Sequence, residues 1–128
     1  MKTRRLGRTG IDVSEIGFGA WGLGATMWRG VADDDALAAV RGAVDAGVTF
    51  IDTALAYGDG HSERLIAKAR TNAVVATKIP PLDGVWPAAA ASKIADVFPA
   101  DHVRVSTETS LRNLGSDAIA LQQFHVWH

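Results

Sequence analysis

Strand-like and helix-like stretches alternate along this 128-residue chain, and that alternation restricts its fold more than any other feature. Ile16, Gly17, Phe18 and Gly19 read as a first core strand, followed by a glycine-rich loop over 19–24. Asp33 opens a helix, because aspartate caps free backbone N–H groups and the adjacent Asp34 and Asp35 suit the positive end of the helix dipole. Leu37, Val40, Arg41 and Val44 recur at helical spacing, and Gly47 is a fitting stop. A strand over 48–52 comes next, then a loop over 57–61 and a helix capped by Ser62 that runs to about Arg70. Residues 74–78 make another strand. Pro99 suits the first turn of a third helix, which Val103, Thr107, Ser110, Leu111 and Leu114 space and Gly115 ends. The last strand covers 118–126. The order β-α-β-α-β-α-β implies an α/β fold with a parallel sheet and right-handed crossovers.

Two stretches stand outside that alternation. Residues 3–14 read as a hairpin around Gly7, Arg8, Thr9 and Gly10, and Lys2, Arg4, Arg5 and Arg8 make it a solvated basic edge. Residues 80–99 are irregular, punctuated by Pro80, Pro81, Pro87 and Pro99, with a helical turn expected at Ala88, Ala89, Ala90 and Ala91. Nothing in the sequence covers the free edge of the last strand, which a complete domain would protect.

Composition narrows the function classes. At 48% hydrophobic and 21% charged residues, the chain reads as a soluble globular unit spanning 1–128. A net charge of -1 gives no argument for nucleic acid or anionic membrane as partner. The absence of cysteine excludes disulfides and thiolate chemistry. No apolar stretch is long enough for a secretory signal or a membrane span, so a cytoplasmic location is expected.

Three strands close on an ionisable residue: Asp52 after Phe50-Ile51, Lys78 after Ala76-Thr77, and His125 after Gln123-Phe124. Side chains alternate along a strand, so Asp52 shares a face with Phe50, Lys78 with Ala76, and His125 with Gln123. In a parallel sheet the three meet at the carboxyl ends of the strands, where α/β active sites form. Tyr57 sits in the loop above that end. A tyrosine can donate a proton, a neighbouring Lys+ favours its phenolate form, a carboxylate holds the lysine, and a histidine can orient a carbonyl. Each residue also has a plainer reading: Asp52 as a turn residue, Lys78 as a strand end, His125 as a core histidine, Tyr57 as a loop aromatic. Their coincidence at equivalent strand ends favours the chemical reading. No side chain supplies a hydride, so carbonyl reduction would need a cofactor. The run from Gly17 to Gly22 is not a dinucleotide GxGxxG fingerprint, because its third glycine falls one position short. His125 and His128 lack a nearby carboxylate and flank the bulky Trp127, so no metal site is expected.

Gly17-Phe18-Gly19-Ala20-Trp21-Gly22, Phe50-Ile51-Asp52-Thr53-Ala54, Tyr57-Gly58 and Ser62-Glu63 together resemble the aldo-keto reductase family. Ala76-Thr77-Lys78, Ser110-Leu111-Arg112-Asn113-Leu114-Gly115 and Leu121-Gln122-Gln123-Phe124-His125-Val126-Trp127 extend the resemblance in order along nearly the whole chain. It implies the first half of a (β/α)8 TIM-type barrel, about four parallel strands over 15–128, behind an amino-terminal hairpin over 1–14. It further implies reduction of aldehydes or ketones with NADP or NAD as cofactor. Tyr57 would be the proton donor, with Lys78 and Asp52 tuning it and His125 orienting the carbonyl. Gly19, Ala20, Trp21 and Asp52 would meet the cofactor; Trp21, Trp28, Tyr57 and His125 would meet the small carbonyl substrate. Trp86 is read as a loop anchor. A barrel of this type needs roughly 250 residues. Most of the family's cofactor contacts lie in the half beyond this chain, so the chain is expected to be inactive alone. The rival reading is a non-enzymatic half-barrel that self-associates through its open sheet edge.

Overall fold

The computed structural model describes residues 1–24 and 32–126. Strands β1 (Thr3–Arg5) and β2 (Asp12–Ser14) form the antiparallel hairpin. Four further strands follow: β3 (Phe18–Gly19), β4 (Phe50–Asp52), β5 (Val74–Ile79) and β6 (Leu121–Phe124). They lie in the order β3-β4-β5-β6, every neighbouring pair parallel. Between them come a 3-10 turn (Trp21–Gly24) and helices α1 (Asp33–Asp45), α2 (His61–Ala69), α3 (Ile94–Val97) and α4 (Ala100–Leu114). The expected parallel half-barrel behind a hairpin is the observed architecture.

The register sorts the sheet into two faces. Gly19 pairs with Asp52, Asp52 with Ala76, and Ala76 with Leu121, while Lys78 pairs with Gln123. Paired positions share a face and alternate residues return to it, so Phe50, Asp52, Ala76, Lys78 and Gln123 lie on one side. The opposite face carries the helices. There Ile51 packs with Ala36 and Val40 of α1 and with Leu65, Ile66 and Ala69 of α2. Phe18, Val75 and Leu114 close the edges of this core. Its burial holds the strand ends in register and leaves the other face for the site.

The structure corrects several local expectations. Asp33 is the first helical residue of α1, and the cap position belongs to Ala32 in extended backbone with no side-chain bond. Asp33, Asp34 and Asp35 therefore complement the dipole without capping the helix, and Asp33 Oδ1 also pairs with His61 Nε2 of α2 at 3.0 Å. Ser62 does not cap α2; Gly60 precedes that helix, and the Ser62 hydroxyl turns inward to bond the Ala20 carbonyl at 3.0 Å. Pro99 lies one residue outside α4, at its cap. Residues 88–91 start no helix and hold only a single turn, in which the Ser92 N–H donates to the Ala89 carbonyl at 2.8 Å. Ala89, Ala90 and Ala91 are exposed and have no apolar face to bury, whereas Val97 and Phe98 pack on Ile79 and place the short α3 there instead. The last strand is shorter than 118–126, although the His125 N–H still donates to the Ile79 carbonyl at 2.9 Å.

Candidate active site

The inner face delivers Asp52 from the end of β4, Lys78 from near the end of β5, and His125 just past β6. Backbone bonds carry the pairing beyond the strands: the Thr53 N–H donates to the Ala76 carbonyl at 2.8 Å and the Leu55 N–H to the Lys78 carbonyl at 3.3 Å. The chain then turns through 54–60. The Tyr57 N–H donates to the Ala54 carbonyl at 3.1 Å, and the Ser62 N–H donates to the Tyr57 carbonyl at 3.2 Å. The glycine-rich turn abuts this loop. A Cβ on Gly58 would stand 2.2 Å from the Gly24 carbonyl oxygen, and one on Gly24 would stand 2.8 Å from the Tyr57 carbonyl carbon. Only hydrogen fits at either position, so the sequence must place glycine on both sides of this contact.

The structure brings Asp52, Tyr57, Lys78 and His125 together. Lys78 Nζ donates to Asp52 Oδ1 at 2.5 Å and to the Thr53 carbonyl at 2.8 Å. The same ammonium lies 5.3 Å from the centre of the Tyr57 ring. The Tyr57 and His125 rings meet edge to face, 5.5 Å apart at 77°. Lys78 is the more buried ion-pair partner, 14% exposed against 39% for Asp52. Burial pushes the His125 imidazole down to about 4; the Lys78 charge adds to that shift and Asp52 opposes it. His125 is therefore neutral at pH 7. Its Nδ1 is buried without a protein partner among the described residues.

A cleft of about 530 Å³ opens over these groups, lined by Trp21, Ala56, Tyr57, Trp86 and His125. Trp21 stands 47% exposed at its rim. Gly19 pairs with Asp52 on β3. Ala20 lies fully buried beneath, its N–H donating to the Asp52 carbonyl and its carbonyl accepting from Ser62. Trp28 falls outside the described residues. Trp86, read from the sequence only as a loop anchor, lines the cleft, and its ring packs 4.2 Å from the His125 ring at 67°. Its loop has no periodicity, and its only signal was a large aromatic ahead of Pro87. A second cavity, of about 270 Å³, lies at the opposite end of the sheet, between α2, α4 and the starts of β5 and β6; Arg70 is its one ionisable lining residue.

Residues 15–128 match the model of the Aldo/keto reductase family. The chain belongs to that family. It is 38% identical to aldo-keto reductase YhdN of Bacillus subtilis over 98% of its own length and 38% of that protein's. Among solved structures it resembles the holo form of aldo-keto reductase AKR11C1 from Bacillus halodurans. There the TM-score is 0.74 at 27% identity, covering 97% of this chain and 40% of the other. It also resembles an aldo-keto reductase from Klebsiella pneumoniae in complex with NADPH, with TM-score 0.67 at 28% identity over 93% of this chain and 37% of that one. The chain thus spans about two fifths of the length of its aldo-keto reductase relatives.

Proposed function

We propose that the chain carries the proton-donating side of an NAD(P)H-dependent carbonyl reductase. One observation carries the reading: the Lys78 ammonium sits between the Asp52 carboxylate and the Tyr57 ring, with a neutral His125 against the same ring. In this reading Tyr57 gives its phenolic proton to the carbonyl oxygen of an aldehyde or ketone. Lys78 offsets the negative charge left on the phenol, and Asp52 keeps Lys78 in place. His125, uncharged, orients the carbonyl through a ring nitrogen, while Trp21 and Trp86 wall the substrate. A nicotinamide cofactor, when bound, supplies the hydride.

The described residues fit only the reacting end of that cofactor. Of the residues expected at the cofactor, Trp21 lines the cleft and Gly19 pairs with Asp52 on the neighbouring strand, but among the described residues no arginine or lysine lines the cleft to hold phosphates. The reading therefore expects turnover only when the remaining barrel strands are supplied. The test is to co-express the chain with the carboxyl-terminal half of a relative such as the B. subtilis enzyme and follow NADPH oxidation with a reactive aromatic aldehyde. Saturable oxidation that needs both halves is expected. A soluble, assembled complex without such oxidation overturns the reading and favours the scaffold.

A further inference from the structure

Glu63 in α2 is 0% exposed, and the proton transfer just described makes no use of it. Its carboxylate oxygens serve two different elements. Thr77 Oγ1 of β5 donates to Oε1 at 2.6 Å, and Asn113 Nδ2 of α4 donates to Oε2 at 2.8 Å. It makes no ion pair among the described residues. Burying a carboxyl group costs free energy, and an apolar side chain would fill the same space at less cost. What a carboxylate adds is direction: two fixed acceptors that hold β5 and α4 in one orientation to α2.

The place of those bonds in the chain gives them a role. Thr77 immediately precedes Lys78. Glu63 immediately follows Ser62, whose hydroxyl bonds the Ala20 carbonyl and lies 2.9 Å from Thr53 Oγ1, next to Asp52. The loop bearing Tyr57 runs between Thr53 and Ser62, so both its ends are tied to strand ends of the site. Asn113 closes the same corner. A Cβ on Gly60 would come within 2.2 Å of its Nδ2, and Arg64 reaches both Asn113 Oδ1 at 3.3 Å and the Asp59 carbonyl at 3.0 Å.

We propose that Glu63 is a positioning residue: its carboxylate locks the exit of the Tyr57 loop to the strand position beside Lys78 and so fixes the spacing between phenol and ammonium. The proposal rests on the carbonyl-reductase reading for its meaning, but its test involves no turnover. Two NMR readouts report the site in the chain itself. One is the pH titration of the His125 ring, which faces Lys78, Asp52 and Tyr57. The other is the cross-peak between the His125 and Tyr57 rings, which is unambiguous on the tyrosine side because the chain has one tyrosine. Glu63→Ala and the milder Thr77→Val should each raise the His125 midpoint from about 4 toward 6.5, by about half a pH unit or more, as the loosened Tyr57 loop uncovers the His125 ring and Lys78 loses its fixed place beside it. Both should weaken the cross-peak by about twofold or more, following the loss of fixed geometry. Glu63→Gln should restore both readouts, since its amide can accept from Asn113 and donate to the Thr77 hydroxyl. Leu65→Ala, which removes a buried side chain from the same helix, should leave both unchanged. Thr77→Val carries the test even if Glu63→Ala does not fold. An unmoved midpoint and cross-peak in Thr77→Val, or an equal change in Leu65→Ala, overturns the proposal. Either result leaves the carbonyl-reductase reading to be judged by kinetics.

Discussion

At the scale of single residues, the site is a problem in electrostatics. His125 is held at about 4, below its ordinary 6.5, chiefly by burial and then by Lys78. A histidine depressed in the folded state takes up its proton less readily than the unfolded chain does. Its contribution therefore lowers stability as pH falls from about 6.5 toward 4, and has no effect above 6.5. An NMR titration of His125 should give a midpoint near 4. Lys78→Met should raise that midpoint and Asp52→Asn should lower it further, because the two charges act in opposite senses. A wild-type midpoint at 6.5, or Asp52→Asn raising it, contradicts this arrangement. Asp52, Lys78 and His125 were legible in the sequence because strand parity and parallel order place them on one face. Glu63 was not, because a polar residue on an amphipathic helix reads as solvated until β5 and α4 are seen to close over it. Trp86 was hidden for a different reason: no period runs through a proline-punctuated loop.

At the scale of elements, local signals located the helices but not the jobs of the residues at their ends. Asp33 and Ser62 are good capping types, yet each lies one residue or more inside the helical backbone, where a side chain cannot reach the free N–H groups. Tertiary contacts decided these cases: Ser62 is drawn inward by Ala20 and Thr53. The same logic separates two glycines with similar backbone. Gly115 ends α4 at φ 61°, with nothing within 4 Å of an added Cβ. Gly58, at φ 65°, has the Gly24 carbonyl 2.2 Å from that position. Gly115→Ala should cost only the left-handed penalty of about 1–2 kcal/mol. Gly58→Ala must add displacement of the Tyr57 loop and should cost about 3 kcal/mol or more. Urea denaturation of the two variants checks the order, and equal losses would show that the turn and loop separate freely.

At the scale of the whole molecule, one face of the sheet is finished and the other is open. The helix-covered face is packed around Ile51 and Leu65, whereas Phe50, Leu121 and Gln123 on the inner face are only partly buried. Among the described residues β3 and β6 each have one neighbour, where a closed barrel of eight strands leaves no edge. Apolar area exposed in this way forgoes about 25 cal/mol per Å², and unpaired strand edges invite pairing with another chain. The chain by itself is therefore expected to self-associate, and light scattering should find a mass above that of one copy. A monodisperse monomer with strong amide protection in β6 would contradict this. NADPH should bind the lone chain weakly, without saturation at low micromolar concentration in a fluorescence titration. Saturable binding there would mean that two copies assemble a complete site. The parallel sheet was legible from the β-α alternation and the half-barrel from the family resemblance, whereas the openness of the inner face emerged only from the packing.

One substitution tests directly the proposal that Tyr57 is the proton donor of a carbonyl reductase. Tyr57→Phe keeps the ring in the cleft and removes only the hydroxyl. In the complemented barrel, steady-state kinetics with an aromatic aldehyde should show turnover reduced by about 10²–10⁴-fold, the usual worth of a general acid. NADPH affinity should stay near that of the unsubstituted complex. Turnover equal to that of the unsubstituted complex would remove Tyr57 from the chemistry.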